Sequence, residues 1–479
     1  MLEDLGTVVG LAAFALYVVA AWCITQVIQS SRTPQAIVAW ILSLLAFPLL
    51  AVPLYAVFGR NRFHGYVRAH RTAYTRTSNE ARALDSLLAT CAVEPPRGLE
   101  YLFTTIRNLT TLPFAGGNNA RLLIDGEQTY PAMLDAIAQA QDYVLFQSYI
   151  VRDDAIGRQF RDSLIARAKD GIRVYFLYDE IGSVRLPHSY LRALQAGGVK
   201  VAGFKTTRGP GNRWQINFRN HRKTIVVDGR CAFVGGLNIG DEYLGRVKRF
   251  GHWRDTHVQL WGPVVQMTQM AFVEDWYWAE RTVPELVWQP PAGEAAGNMP
   301  AVVVRTGPAD TDAVCALMHV QAFNSATSRL WVAAGYFVPD EPIIRALQLA
   351  ALRGVDVRVL VPDKADIRTA WLAQFSYLPS LVDAGIKVFL YQNGVLHQKV
   401  FLVDDTLASV GSANLDNRSL HINFEITALI ADPAFAAEVE RMLIADFAQS
   451  ELFSTEAYSR RSYWFRLASR AAHLAAPLL

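Results

Sequence analysis

The sequence predicts an α/β protein: two tandem α/β subdomains, each a sheet flanked by helices, behind an N-terminal two-helix transmembrane hairpin. Three observations lead there. Two uncharged stretches of 27 residues, Leu5–Ser31 and Thr33–Gly59, open the chain. Strand-like and helix-like segments then alternate, which implies a parallel or mixed sheet covered by helices. The same order of segments also occurs twice, offset by 183–187 residues.

Each uncharged stretch exceeds the roughly 20 apolar residues that span a bilayer. Both carry aromatics suited to the interface: Tyr17, Trp22, Trp40 and Tyr55. Only Arg32 divides them, and Pro48 and Pro53 are expected to kink the second helix. A cleaved signal peptide fits poorly, because the chain starts Met1-Leu2-Glu3-Asp4, acidic where a basic start is required. Five arginines follow (Arg60, Arg62, Arg68, Arg71, Arg76), with no acid between Asp4 and Glu80. The positive-inside rule then places this segment, and the large domain after it, in the cytoplasm. These arginines either set topology alone or also rest on anionic headgroups.

Residues 61–115 read as a basic, helical connector, 116–288 as the first subdomain, 301–457 as the second, and 458–479 as a basic amphipathic tail. The segment Gln289–Pro300 is the expected linker. In the first subdomain Arg121–Ile124, Tyr143–Val151 and Gly171–Leu177 read as strands, and Tyr130–Ala140 and Phe160–Lys169 as helices. Its string Ser148-Tyr149-Ile150-Val151 answers to Gly335-Tyr336-Phe337-Val338 in the second, and Gly171-Ile172-Arg173-Val174 to Gly354-Val355-Asp356-Val357. In the tail, Tyr463, Leu467, Ala471, Leu474 and Leu478 share one helical face, suited to a membrane surface or to packing on the core.

Composition excludes several classes. Charged residues make up 19% and hydrophobic ones 52%, too apolar for a disordered chain. Four widely spaced cysteines exclude a disulfide scaffold and a cysteine-rich zinc site. A net charge of +3 does not suit a nucleic-acid binder, which needs a broad basic groove. There is no G-x-S-x-G elbow, P-loop or H-E-x-x-H. His252 and His257 read as ordinary histidines.

One motif occurs at equivalent places in both halves. The first copy is His221, Lys223, Asp228, Gly235 and Asn238; the second is His397, Lys399, Asp404, Gly411 and Asn414, at identical spacing. On a strand, positions i and i+2 face one way, so each His and Lys project together. Asp228-Gly229 and Asp404-Asp405 are turn sequences, after which the return strands carry Asn238 and Asn414 back towards the His and Lys. Two imidazoles, two ammonium groups and two amides suit a phosphate: lysines neutralise its oxygens, amides donate to them, one His attacks phosphorus and the other protonates the leaving alcohol. No metal or cofactor is required, because the lysines carry the positive charge.

This doubled motif resembles that of the phospholipase D superfamily. The membrane hairpin, the connector and the core, over nearly the whole chain, are similar to bacterial cardiolipin synthases. Supporting strings are Tyr55–Arg60, Trp253-Arg254-Asp255-Thr256, Asn414–Ser419 and Asn423-Phe424-Glu425. The resemblance implies one active site at the interface of two subdomains and a covalent phosphatidyl-histidine. It also implies a phosphatidylglycerol substrate and transfer of its phosphatidyl group to a second phosphatidylglycerol. A phospholipase D that passes the group to water is the alternative. In the family each catalytic His is oriented by a downstream carboxylate; the matching residues are Asp255 and Glu425. Asp228 and Asp404 are counted with the active site there, against the turn reading above. Gly236 departs from the pattern, standing where the second copy has Ser412.

Overall fold

In this computed structural model the described residues are 2–30, 33–59, 66, 78–207, 217–288, 297–364 and 366–478. The arginines expected to set topology and most of the expected linker lie outside them. The chain forms two compact units: residues 1–65 with 206–218, and residues 66–205 with 219–479.

In the smaller unit the helix Leu2–Ile28 carries an apolar stretch, Thr7–Ile28, long enough to cross a bilayer. The second uncharged run is not one kinked helix. It divides into Pro34–Ala46 and Pro48–Phe58. Pro48 lacks an N–H and crowds the preceding turn, and Phe47 leaves helical geometry with φ −137° and ψ 57°. The pieces, 13 and 11 residues, are about 20 and 17 Å long, short of a bilayer core. Among the described residues one helix therefore qualifies as a span. Ala20, Cys23 and Val27 pack on Leu44, Ala51 and Tyr55, and Trp40 meets Tyr55 edge-on at 5.2 Å. Leu11, Phe14, Leu49 and Leu50 face outwards.

The larger unit is built on one mixed sheet. Its first half contributes β1 (Ala115–Ile124), β2 (Tyr143–Ser148), β3 (Arg173–Asp179), β4 (Lys200–Phe204), β5 (Thr224–Val227), β6 (Cys231–Gly235), β7 (Trp253–Arg254) and β8 (Thr256–Trp261). The second contributes β9 (Met299–Thr306), β10 (Arg329–Ala334), β12 (Asp356–Lys364), β13 (Lys387–Leu396), β14 (Lys399–Val403), β15 (Leu407–Gly411), β17 (Glu425–Ile430) and β18 (Ser450–Leu452), while β11 (Phe337–Val338) and β16 (Leu415–Asp416) pair apart from it as a two-stranded parallel sheet. From the centre outwards the first half runs β1-β8-β6-β5-β2-β3-β4 and the second β9-β17-β15-β14-β10-β12-β13-β18. The orders correspond strand for strand apart from β18, an extra edge strand of the second half, and β1 pairs antiparallel with β9 to join them. The strands β2, β3 and β4, and likewise β10, β12 and β13, are parallel, the hairpin of the repeated motif is antiparallel in each half, and β18 adds antiparallel to β13. Internal duplication thus becomes one continuous sheet whose halves meet at its middle.

Burial explains the strands. Tyr143–Ser148, Thr224–Val227 and Lys399–Val403 are buried at every position, as expected of strands covered on both faces. The helix Val264–Glu280 is buried nearly all round, and Pro433–Ala448 holds the matching place behind the second half.

Candidate active site

The two motifs converge where the halves meet. His221 and Lys223 stand just before β5; His397 ends the approach from β13, and Lys399 opens β14. The pairing that builds the site crosses between halves. His221 N–H donates to the Phe424 carbonyl at 2.9 Å, and His397 N–H to the Arg254 carbonyl at 2.8 Å. Phe424 and Arg254 immediately precede Glu425 and Asp255, so each histidine is stitched beside the other half's carboxylate. His221 Nδ1 lies 2.9 and 3.0 Å from the Glu425 oxygens, and His397 Nδ1 lies 2.7 Å from Asp255 Oδ2.

The four side chains are buried. Burial pushes the His221 pKa down to about 4, with Glu425 opposing and Lys223 assisting. His397 is likewise lowered by burial, then by Lys399. Burial would raise both carboxylates, but the facing imidazoles and lysines hold Asp255 and Glu425 below their usual range. Each imidazole is therefore neutral, with Nδ1–H donated to a carboxylate and Nε2 carrying the lone pair. Lys223 is brought down to about 7, by burial first, and Lys399 is lowered for the same reason. Both ammonium groups donate to the carbonyl of their own motif histidine. A buried pair of lysines with depressed pKa values favours an anion between them.

The remaining motif residues divide. Asn414 is buried with its Oδ1 unpartnered among the described residues. Asn238 accepts from Ile150 N–H at 3.1 Å and donates to the Tyr243 hydroxyl at 3.2 Å, which leaves one of its two N–H bonds over. Asp228 and Asp404 sit at the far ends of β5 and β14, about 16 Å along the strand from the lysines. Asp228 accepts the N–H groups of Gln141, Asp142 and Tyr143; Asp404 accepts those of Thr327, Ser328 and Arg329. Both have positive φ, 53° and 51°. They clamp the starts of β2 and β10, the structural role that the turn reading expects, and make these contacts away from the histidines and lysines.

Several residues were missed. Tyr149 lies edge-on to His221, ring centroids 4.9 Å apart, with the Lys223 ammonium 5.2 Å from its ring. Tyr336 and Trp253 flank His397 at 5.8 and 5.2 Å. The tyrosines occupy matching places in the internal repeat, the signal that marks them in the sequence. Two buried ion pairs stand behind the site. Arg222 bonds Asp275 Oδ2 at 2.9 Å and donates to the Glu425 carbonyl at 3.1 Å. Arg254 bonds Asp446 at 2.6 and 2.8 Å and donates to the Asp255 carbonyl at 2.8 Å. Asp275 and Asp446 lie on the two equivalent long helices, so each orienting carboxylate has its own main chain pinned by a guanidinium. Tyr66 adds a hydrogen bond to Asp275 Oδ1 at 2.8 Å.

His252 pairs with Asp125 at 2.9 Å outside the pair of motifs. His257 is wholly buried beside Gly235 and accepts from Leu237 N–H.

A family model described as "Cardiolipin synthase, PLD-like domain" matches residues 133–249 and 319–447, and one described as "Phospholipase_D-nuclease N-terminal" matches 15–60. Cardiolipin synthase A of Pseudomonas aeruginosa PAO1 is 45% identical over 99% of this chain and 96% of its own. Cardiolipin synthase A of Pseudomonas entomophila L48 is 43% identical over 94% of each. The chain belongs to the phospholipase D-like cardiolipin synthase family. Among solved structures, phosphatidylserine synthase of Haemophilus influenzae Rd KW20 covers 79% of this chain and all of its own, with a TM-score of 0.62 at 14% identity, a likeness of fold alone. The family matches fall on both motifs, His221–Asn238 and His397–Asn414.

Proposed function

We propose that the protein is a cardiolipin synthase. It moves the phosphatidyl group of one phosphatidylglycerol to the free glycerol hydroxyl of a second and releases glycerol. The observation that carries this reading is the crossed pair of histidines, each with Nδ1 held by a carboxylate and Nε2 left for phosphorus, between two depressed lysines.

His221 Nε2 attacks phosphorus, forming an N–P bond as the P–O bond to glycerol breaks; His397 gives that oxygen a proton. His397 then takes the proton of the incoming hydroxyl, whose oxygen forms the new P–O bond as the N–P bond breaks. His221 returns to neutral and no oxidant or metal enters the balance. The lysines offset the charge on the non-bridging oxygens, and Asn414 and Asn238 add hydrogen bonds. The negative charge of the bound phosphate favours the protonated form of His397 that the first step needs. In this reading the apolar N-terminal helices anchor the enzyme to the bacterial inner membrane with both runs inserted, and the catalytic unit is cytoplasmic. Nucleic acid is not a substrate.

The test is incubation of the purified protein with phosphatidylglycerol labelled in both glycerol and acyl groups. Cardiolipin and free glycerol are expected. Phosphatidic acid as the main product would make water the acceptor and the protein a phospholipase D.

A further inference from the structure

The chain ends in a helix, Tyr463–His473, whose two faces differ. One face is packed. Phe465 meets Phe375 and Trp371 at ring distances of 5.3 and 5.8 Å, Ser469 is fully buried, and Ala472 and Ala476 close on Val338, Ala370 and Ala373. Tyr336, which flanks His397, packs on that same cluster. The opposite face is bare. Tyr463, Leu467 and Leu474 recur at helical spacing and Trp464 stands beside them, with exposures of 63%, 43%, 82% and 74%. The bare face is therefore not the one that closes the fold.

Its charge indicates what covers it. Beyond Glu456 the chain has no Asp or Glu and four arginines. Arg470 is exposed and lies on the edge of the apolar stripe; Arg466 lies one turn before it on the same edge. Arg461 lies across Phe465 and Phe375 at 4.6 and 5.2 Å, keeping its charge beside the helix start. An aromatic and leucine stripe edged by arginines suits the boundary of an anionic bilayer, where rings sit at headgroup depth and guanidinium groups meet phosphates. Arg460 pairs with Glu456, but Arg461, Arg466 and Arg470 have no ion pair among the described residues, and a protein partner that satisfied the apolar stripe would give no account of these three cations.

We propose that the exposed face of the helix Tyr463–His473 lies on an anionic phospholipid surface and holds the Tyr336 side of the active site against the bilayer. Substrate reaches the site from that surface. The helix is short and already folded on the catalytic unit, so docking costs little further chain ordering.

The experiment uses the full chain with its four cysteines replaced by alanine, reconstituted in phosphatidylcholine–phosphatidylglycerol vesicles. A single cysteine at Leu467 (Leu467→Cys) or, as a control, at Asp162 (Asp162→Cys) carries an environment-sensitive fluorophore, and lipids bearing nitroxides near the headgroup act as quenchers. A circular dichroism spectrum and unfolding transition matching those of the unaltered chain certify the fold of each variant. Quenching at least threefold stronger at 467 than at 162 is expected. Arg466→Glu with Arg470→Glu should lower it at least threefold. Equal quenching at 467 and 162 overturns the proposal, and so does a probe at 467 shielded from water but untouched by lipid quenchers, which would mean a protein occupant. Quenching unaffected by the charge reversals overturns the anionic part. None of these readings depends on which lipid product forms, so failure here is distinct from failure of the proposed function.

Discussion

At residue 236 the first half has no side chain, and the carboxylate beside it is the short Asp255. At the same place the second half has Ser412, and its carboxylate is the longer Glu425. A Cβ on residue 236 would come within 2.1 Å of Asp255 Oδ1. In the second half the hydroxyl donates to Glu425 Oε2 at 2.5 Å and accepts Ile426 N–H at 3.0 Å. Ser419 and Asn423 also donate to Glu425, whereas Asp255 receives its own neighbour Thr256 N–H at 2.8 Å. The missing serine is thus no lost contact but the space that a carboxylate one methylene shorter requires. The buried cations are exchanged similarly. Arg222 comes from inside the first motif; Gln398 holds that place in the second, and the cation comes from Arg254, on the strand of the carboxylate it supports. Two histidines can be held alike by different side chains, provided each half completes the other.

Removing the histidines should separate the halves most sharply. His221→Ala should give no trapped phosphohistidine. His397→Ala should still give one when the phosphodiester carries an activated leaving group that needs no proton, since a general acid typically contributes 10²–10⁴-fold. Acid-quenched labelling with such a diester reads this directly, and an adduct in the His221 variant but not in the other would reverse the roles.

Exchanging the residues at 236 and 412 should give an unequal pair of losses. Gly236→Ser pushes Asp255 away from His397 and should lower kcat about 10–100-fold, the usual cost of losing an orienting partner. Ser412→Gly leaves Glu425 with Ser419, Asn423 and His221, and should lower kcat by only a few fold. Turnover of labelled phosphatidylglycerol with a check of folding by circular dichroism tests both. Equal losses would show that the site does not depend on the fit between carboxylate length and residue 236.

The smallest effect is a displaced pH limb. His221 must be neutral to attack, so kcat/KM should fall as pH drops through about 4. His397 must be protonated to act as the acid and Lys223 charged to hold phosphate, so kcat/KM should fall again by about pH 7, far below an ordinary lysine. Lys223→Arg, which cannot deprotonate in this range, should leave only the His397 limb, at reduced activity. An alkaline limb already above pH 9 in the unaltered enzyme would contradict the buried-lysine assignment.

Much of the catalytic unit was legible because periodicity and repetition are local properties. The repeat located both motifs, and the turn residues at Asp228 and Asp404 announced the clamps they form. The family resemblance counts both aspartates with the active site, whereas their hydrogen bonds run to strands distant in sequence. The second apolar run was misjudged in one respect. Hydropathy counts apolar residues, while Pro48 acts through one missing N–H and one steric clash, and so ended a helix that composition would have continued.

The sequence by itself determined the chemistry available: which residues occur in duplicate and at what spacing, with Asp255 and Glu425 added as the carboxylates that the family resemblance implies. Only the tertiary structure decided the partners. Nothing in the spacing says that His221 takes the carboxylate 204 residues away and not the one 34 residues away. That choice follows from the antiparallel joining of β1 and β9 and from two short backbone pairings, Asn220 with Phe424 and Leu396 with Arg254. Sheet register is set by long-range hydrogen bonding and packing across the centre of the molecule, and local sequence carries no record of it.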